Sequence, residues 1–208
     1  MRCHEGASNG FTLLELLVAL SIFAIMSVVA YSSLAAMAEI REQLRDEGKR
    51  LTEIQTAFRL IGRDIEQAIA RPIRDGYGDP LPAMSLTEGE GVILEFTRSG
   101  WRNPTGRQRS TLQRITYRFL GEELIRESWP VLDRAVDSTP FSRTILTGVM
   151  NLEVSFIGQD RQISPAWPPE SSADPAQAAK ILPRAVRIFL DLEGWGRVDR
   201  LYLIGGAI

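Results

Sequence analysis

The pattern of apolar and polar positions divides the chain into one long helical stretch followed by short alternating runs. From Leu16 to Ala38, 23 consecutive residues carry no formal charge and are dense in Leu, Val, Ile, Phe and Ala. At 1.5 Å per residue they make about 34 Å of helix, enough to cross a hydrocarbon core of about 30 Å. Apolar residues then recur at Ile40, Leu44, Leu51, Ile54, Phe58, Ile61, Ile65 and Ile69, spacings of 4, 7, 3, 4, 3, 4 and 4 that mark one helical face. Arg41, Glu42, Arg45, Asp46, Lys49, Glu53, Arg59, Arg63 and Glu66 occupy the other faces. No proline interrupts Phe11 to Arg71, so one helix of about 60 residues, close to 90 Å, is expected. Pro72 disfavours helix at Arg71. Gly48 and Gly62 weaken it locally, by about 1 kcal/mol each relative to Ala. The face from Ile40 to Ile69 is expected to pack on the chain's own domain, with a coiled-coil partner as the alternative for its first turns.

Past Pro72 the period falls to two. "RPIRDGYGDPLP" is a turn-rich connection. Val92, Leu94 and Phe96 alternate with Ile93, Glu95 and Thr97, and Ile115, Tyr117 and Phe119 alternate likewise. Gly121-Glu122 predicts a tight hairpin into "LIRESW". Met150, Leu152, Val154 and Phe156 form another run, as do Val186, Ile188, Leu190 and Leu192, and "EGWGR" turns the last back into "VDRLYLIG". Period-2 alternation means sheets with one face buried. A helix followed by antiparallel strands predicts an α+β fold, the helix packed on antiparallel β-sheets. Between Gly158 and Pro183 lie 26 residues with five prolines, a length that marks disorder or a contact surface. Trp167 within it is a candidate partner anchor, since Trp is enriched at hot spots; the alternative is that it packs back on the domain.

Composition narrows the chemistry. The 208 residues are 44% hydrophobic and 24% charged, with a net charge of −2. This is globular composition, large enough for one domain plus an anchor, and gives no reason to expect a polyanion as main partner. Cys3 and His4 are the single cysteine and histidine. Should the first ten residues be removed, no thiol nucleophile, imidazole base or disulfide remains. Arg98, Arg102, Arg107, Arg109, Arg114 and Arg118 form a stretch without an acid, interleaved with Trp101 and Tyr117. A partner-facing basic surface centred on Arg98, Trp101, Arg102, Arg107 and Arg109 is one reading, a solvated sheet edge another, and nucleic-acid binding a third. Nucleic acid is not expected, because Glu122, Glu123, Glu127, Asp133 and Asp137 downstream are candidate counterions. "DGYGD" from Asp75 to Asp79 has two acids around glycines but lacks the spaced ligands of a calcium loop, so calcium stays an open question. With no P-loop, nucleophile elbow or metal-spaced histidines, no cofactor and no enzymatic activity are expected.

Glu15 stands at the head of the apolar run, five residues after Gly10, where a carboxylate costs about 2.5–3.5 kcal/mol on insertion scales. An ordinary secretory signal is one account of this segment, and Ala36-Met37-Ala38 fits small-x-small cleavage. Such signals have an apolar core of about 7–15 residues behind a basic region, whereas here Arg2 is offset by Glu5. A plain uncleaved anchor is a second account. Gly10 followed by Phe11-Thr12-Leu13-Leu14-Glu15 resembles the type III signal of type IV pilins and type II secretion pseudopilins. The resemblance implies cleavage between Gly10 and Phe11 by prepilin peptidase, N-methylation of Phe11, and Glu15 as the fifth mature residue. The new ammonium on Phe11 would then pair with Glu15 of its own chain or a neighbour, since an unpaired buried charge is strongly penalised.

"RDIEQAIARPIRD", "EFTRSGWRNPTGRQRSTLQRITYRF" and "LIRESWPVLDRA" are similar to the minor pseudopilin J family of type II secretion, the general secretion pathway protein J family. This resemblance implies a pilin-like fold with a leader at 1–10, a membrane and assembly helix at 11–38, a periplasmic half-helix at 39–71, and a sheet domain at 72–208 with its proline-rich loop at 158–183. It further implies a single-pass inner-membrane protein with a periplasmic C-terminal domain, near the tip of a periplasmic pseudopilus that it helps to prime. The implied partners are minor pseudopilins I, K and H, the major pseudopilin, prepilin peptidase and the secreted exoproteins. A minor pilin of a type IV pilus, in adhesion or DNA uptake, is the alternative, and a plain bitopic protein a further one.

Overall fold

The computed structural model describes residues 12–89, 91–101, 110–134, 137–169 and 175–205. Gly10 and Phe11, with the rest of the expected leader, and Arg102, Arg107 and Arg109 lie outside the described residues. Helix α1 runs from Leu13 to Glu66 over 54 residues. It ends before Arg71 because the next backbone groups find partners elsewhere. Ala68 bridges to Arg98, the Ser99 N–H donates to the Gln67 carbonyl (2.9 Å) and the Ile69 N–H to that of Thr97 (3.0 Å).

Two compact units divide the chain, Met1–Leu51 and Thr52–Ile208. In the first, α1 is long and apolar enough to cross a membrane, and none of that apolar window is buried. Ile40, Leu44 and Leu51 are exposed at 55%, 62% and 40%. The expected packing face therefore begins only at Ile54, and the earlier apolar positions have no cover from the described residues.

In the second unit, α1 buries Ile54, Ala57, Phe58, Ile61 and Ile65. The strands are β1 (Ile73–Arg74), β2 (Pro80–Leu81), β3 (Met84–Gly89), β4 (Gly91–Arg98), β5 (Gln113–Leu120), β6 (Glu123–Ser128), β7 (Phe141–Leu146), β8 (Val149–Ile157), β9 (Ile163–Ser164), β10 (Ala185–Leu192) and β11 (Gly196–Leu203), with a single helical turn α2 (Pro175–Ala178) before β10. β3 to β7 form a five-stranded sheet in chain order, β11-β10-β8-β9 a four-stranded sheet, and β1 pairs with β2. All pairings are antiparallel.

The alternation sets the inward faces. Leu94 and Phe96 of β4 and Ile115 and Tyr117 of β5 join Val154, Phe156, Val186, Ile188 and Leu190 of the second sheet and the α1 residues in one core. Leu120 pairs with Glu123 across Gly121-Glu122, and Gly121 takes a left-handed φ of 63° that glycine adopts without strain. Met150 departs from its expected inward place. The β8–β10 register slips so that Asp191 faces Asn151 while Leu192 faces Val149, leaving Met150 exposed and Val149 buried. Gly62 allows a close approach, because a Cβ there would stand 2.7 Å from the Tyr202 ring of β11. Tyr202 in turn donates its hydroxyl to the Phe58 carbonyl of α1 (3.0 Å).

The proline-rich segment is built into the domain. β9 pairs with β8, the Leu86 N–H donates to the Trp167 carbonyl (3.1 Å) and the Ala83 N–H to that of Ala179 (2.8 Å). The Leu86 bond lies on the β3 edge of the five-stranded sheet and the Ala83 bond just before it, so the segment covers that edge, one of the ways a protein protects an unpaired edge. Trp167 is 5% exposed, tilted against Phe156, and donates its indole N–H to the Ile181 carbonyl (3.2 Å). The expectation that it anchors a partner is corrected: its apolar ring and its N–H are both satisfied inside the domain.

Candidate functional site

The head of α1 is built from Thr12 and Glu15. Thr12 Oγ1 accepts the Glu15 backbone N–H (3.3 Å), and the Leu16 N–H donates to the Thr12 carbonyl (3.2 Å). Thr12 is thus the N-cap and Glu15 the third helical residue, the positions of a capping box, with an acid in the first turn where the helix dipole favours it. Glu15 thus closes the N-cap through its backbone N–H and places an acid where the helix dipole favours one.

The second arrangement lies under the sheet domain, at Asp64. This residue is three positions after Ile61 and one before Ile65, so it shares the buried side of α1, and its side chain is 1% exposed. One oxygen, Oδ2, accepts the Tyr117 hydroxyl (2.7 Å) and the Arg126 Nε–H (2.6 Å). Arg98 Nη1 lies 2.9 Å from the other oxygen as an ionic contact without hydrogen-bond geometry, and donates to Gln67 Oε1 at 3.0 Å. One carboxylate on α1 thus ties down β4, β5 and β6. Burial pushes the Arg98 guanidinium below its ordinary pKa, with Asp64 pulling the other way. At Arg126 burial also pulls down, but the hydrogen bond and charge of Asp64, aided by Tyr117, outweigh it and hold this guanidinium above its ordinary value. The Tyr117 phenol is raised well above its usual range by burial first and by the Asp64 charge second.

The remaining described arginines of the basic stretch are paired as well. Arg114 is fully buried on β5 and donates to Glu95 Oε1 (3.0 Å), Thr97 Oγ1 (3.0 Å), and the carbonyls of Pro82 (2.8 Å) and Ala83 (3.1 Å). Burial pushes it down to about 9, so it stays charged at neutral pH. Glu95 also receives Arg134, whose guanidinium stacks over the Trp129 ring. Arg118 pairs with Glu127 at 3.2 Å. Of the expected counterions, Glu127 serves this stretch, while Asp133 instead faces Arg71 at 3.8 Å and Glu123 accepts from Thr144. Trp101 is half-buried, its backbone N–H donating to the Thr111 carbonyl (3.0 Å). The partner-surface reading is corrected at Arg98, which is 11% exposed and held by Asp64 and Gln67. In "DGYGD", Asp75 Oδ1 accepts the Tyr77 and Asp79 N–H groups (2.9 Å each), which closes the turn between β1 and β2. Among the described residues no group of three or more His, Cys, Asp or Glu side chains is placed to hold a metal ion.

Two sequence families cover the chain in succession. The prokaryotic N-terminal methylation motif matches residues 7–31, and type II secretion system protein J matches residues 32–204. The chain belongs to the type II secretion system protein J family. It is 31% identical over 198 residues to the type II secretion system protein J of Klebsiella pneumoniae, covering 95% of each chain. To that of Vibrio cholerae it is 32% identical over 204 residues, covering 95% of this chain and 88% of the relative. Among solved structures it matches a chain of the GspK-GspI-GspJ complex of enterotoxigenic Escherichia coli, at a TM-score of 0.65 and 26% identity over 74% of this chain and 97% of that one. The pilin-like α+β architecture and the minor pseudopilin identity read from Gly10 to Glu15 and from the internal stretches are those of this family.

Membership in the J family also sorts the two arrangements. The methylation motif spans Gly10, Phe11 and Glu15. The Asp64 network falls inside the J region, and sequence reasoning passed over it. The available signal was an acid interrupting the apolar face of α1, which a folded protein tolerates when the charge is paired.

Proposed function

We propose that this minor pseudopilin acts at the tip of a pseudopilus, anchored in the bacterial inner membrane by the segment 11–38 and exposing its folded domain to the periplasm. In this reading residues 1–10 are a leader that prepilin peptidase removes between Gly10 and Phe11, after which Phe11 is N-methylated. Its ammonium pairs with Glu15 of its own chain or a neighbour. The half-helix 39–71 (helical as far as Glu66) leads into the sheet domain 72–208. The observation that carries the proposal is the change in α1 around Leu51: every described side chain of the helix before Lys49 is exposed, and a complete core begins at Ile54. An anchor helix with uncovered apolar faces requires lipid or other helices around it. The folded unit supplies surface for dissimilar neighbours.

The partners we assign are the I-type and K-type pseudopilins, supported by the relative crystallised as GspK-GspI-GspJ, together with H, the major pseudopilin and the secreted exoproteins. The role is structural, with no reaction assigned. The test is to express the full chain with tagged I-type and K-type pseudopilins in cells carrying prepilin peptidase, and to purify the complex from inner membranes. A complex with one copy of each, containing a chain that begins at methylated Phe11, is expected. A chain that elutes alone, or retains residues before Phe11, overturns the proposal.

A further inference from the structure

The five-stranded sheet has two edges, and they are treated differently. The β3 edge is covered by the proline-rich segment, whereas among the described residues β7 pairs only with β6, and Phe141, Ser142, Arg143 and Thr144 are all exposed. Between β7 and α1 lies a cleft of about 340 Å³ lined by Leu60, Arg63, Asp64, Arg98, Arg126, Ser128, Phe141, Ser142 and Arg143. Four of these side chains are guanidiniums and one is a carboxylate. Asp64 is already engaged by Arg98 and Arg126. Among the described residues Arg63 and Arg143 have no carboxylate within ion-pair distance, and both are exposed. Arg126 and Arg143 are direct cross-strand neighbours, an arrangement in which like charges repel. The network beneath is incompletely saturated, because Arg98 Nε is buried without a hydrogen-bond acceptor.

We infer that this cleft is a docking site for an extended, acidic polypeptide segment of a partner protein. The segment adds as a further strand to the open edge of β7 and seats a carboxylate between Arg63 and Arg143. An unpaired edge supplies backbone donors and acceptors, and alternate side chains of the added strand supply specificity. A carboxylate at this position relieves the Arg126–Arg143 repulsion and meets guanidiniums in their preferred forked geometry. Phe141, 71% exposed at the end of β7, gives an apolar contact beside it. The inference does not rest on the pseudopilus-tip reading, since it concerns only the chemistry of this edge.

The test uses the full chain in uncharged detergent micelles and a labelled six-residue peptide alternating glutamate with valine, followed by fluorescence anisotropy. Controls are the same peptide with glutamine for glutamate, and with alternate backbone nitrogens methylated. The acidic peptide is expected to bind at least about tenfold more tightly than either control. The exposed double variant R63Q/R143Q, with an unchanged melting temperature, is expected to weaken its binding at least about tenfold. No binding of the acidic peptide, equal binding of the glutamine or N-methylated peptide, or an R63Q/R143Q affinity equal to that of the parent overturns the inference.

Discussion

Replacing Asp64 by Asn leaves the shape of the α1–sheet junction intact and removes the charge on which two buried guanidiniums depend. Arg98 and Arg126 have side chains 11% and 16% exposed, so water replaces little of the lost interaction. Removing one partner of such a buried pair costs about 3–5 kcal/mol. For a unit of this size each kcal/mol moves the melting temperature by about 2–4 °C, so a fall of about 6–20 °C is expected. Tyr117→Phe deletes one hydrogen bond to the same carboxylate while Arg126 stays paired, and is expected to cost less, about 1.5–3 kcal/mol. The assay is thermal unfolding of the full chain in detergent, followed by near-ultraviolet circular dichroism, which reports the packed aromatic side chains rather than the anchor helix. A third variant tests the cause. Asp64→Leu combined with Arg98→Met and Arg126→Met, made in the Tyr117→Phe background so that no buried hydroxyl loses its acceptor, leaves no unpaired charge, and apolar replacements of buried ion networks are often neutral or stabilising. It should therefore recover most of the loss. A single Asp64→Asn variant that melts within about 2 °C of the parent, or a combined variant as unstable as the single one, refutes this reasoning.

The raised phenol of Tyr117 ionises less readily in the folded chain than in the unfolded one. Its contribution is full below about pH 10 and declines as pH rises, so Tyr117→Phe should make the stability slope above pH 10 shallower by up to about 1.4 kcal/mol per pH unit, measured by denaturant unfolding. Gly62→Ala should destabilise by about 1–3 kcal/mol despite alanine's better helix propensity, because its Cβ meets the Tyr202 ring at 2.7 Å. Gly48→Ala, where a Cβ meets nothing within 4 Å, should instead increase local amide protection by an amount equivalent to about 1 kcal/mol in hydrogen exchange. Glu15→Gln keeps a capping-box residue but loses the charge; cleavage after Gly10 should persist while recovery in sheared filaments falls, and undiminished recovery would leave Glu15 with the capping role alone.

Strands whose inward faces carry the core were legible because burial imposes period two on them, as at Leu94, Phe96, Ile115 and Tyr117. The two outer strands of the five-stranded sheet were not. In β3 the apolar signal reduces to Met84 and Leu86, and the other protection of that strand comes from Trp167 and Ala179, about eighty or more residues away in sequence. In β7 four of six residues are exposed, so nothing on that strand alternates between core and water. The register slip opposite Met150 was invisible for a related reason. Periodicity reports the residues of one strand, whereas a bulge is a property of a pair.

The arginines show the same limit in charge rather than hydrophobicity. In sequence, Arg98 to Arg118 is a basic stretch without acids, and its neighbours suggest an outward surface. In the fold, antiparallel pairing sets Arg114 opposite Thr97 and Arg118 opposite Ile93, and the counterions arrive from α1, β4 and β6. Linear charge runs therefore overstate surface charge wherever strands bring distant acids beside them. The logic then runs in reverse for Arg63 and Arg143, each of which has acids within a few tens of residues along the chain but none within pairing distance among the described residues. On a protein that pairs Arg98, Arg114, Arg118, Arg126 and Arg134 internally, these two guanidiniums lie without a carboxylate partner beside a strand edge that carries no further strand among the described residues. That edge, rather than the basic stretch, is where we infer that the domain meets an acidic partner segment.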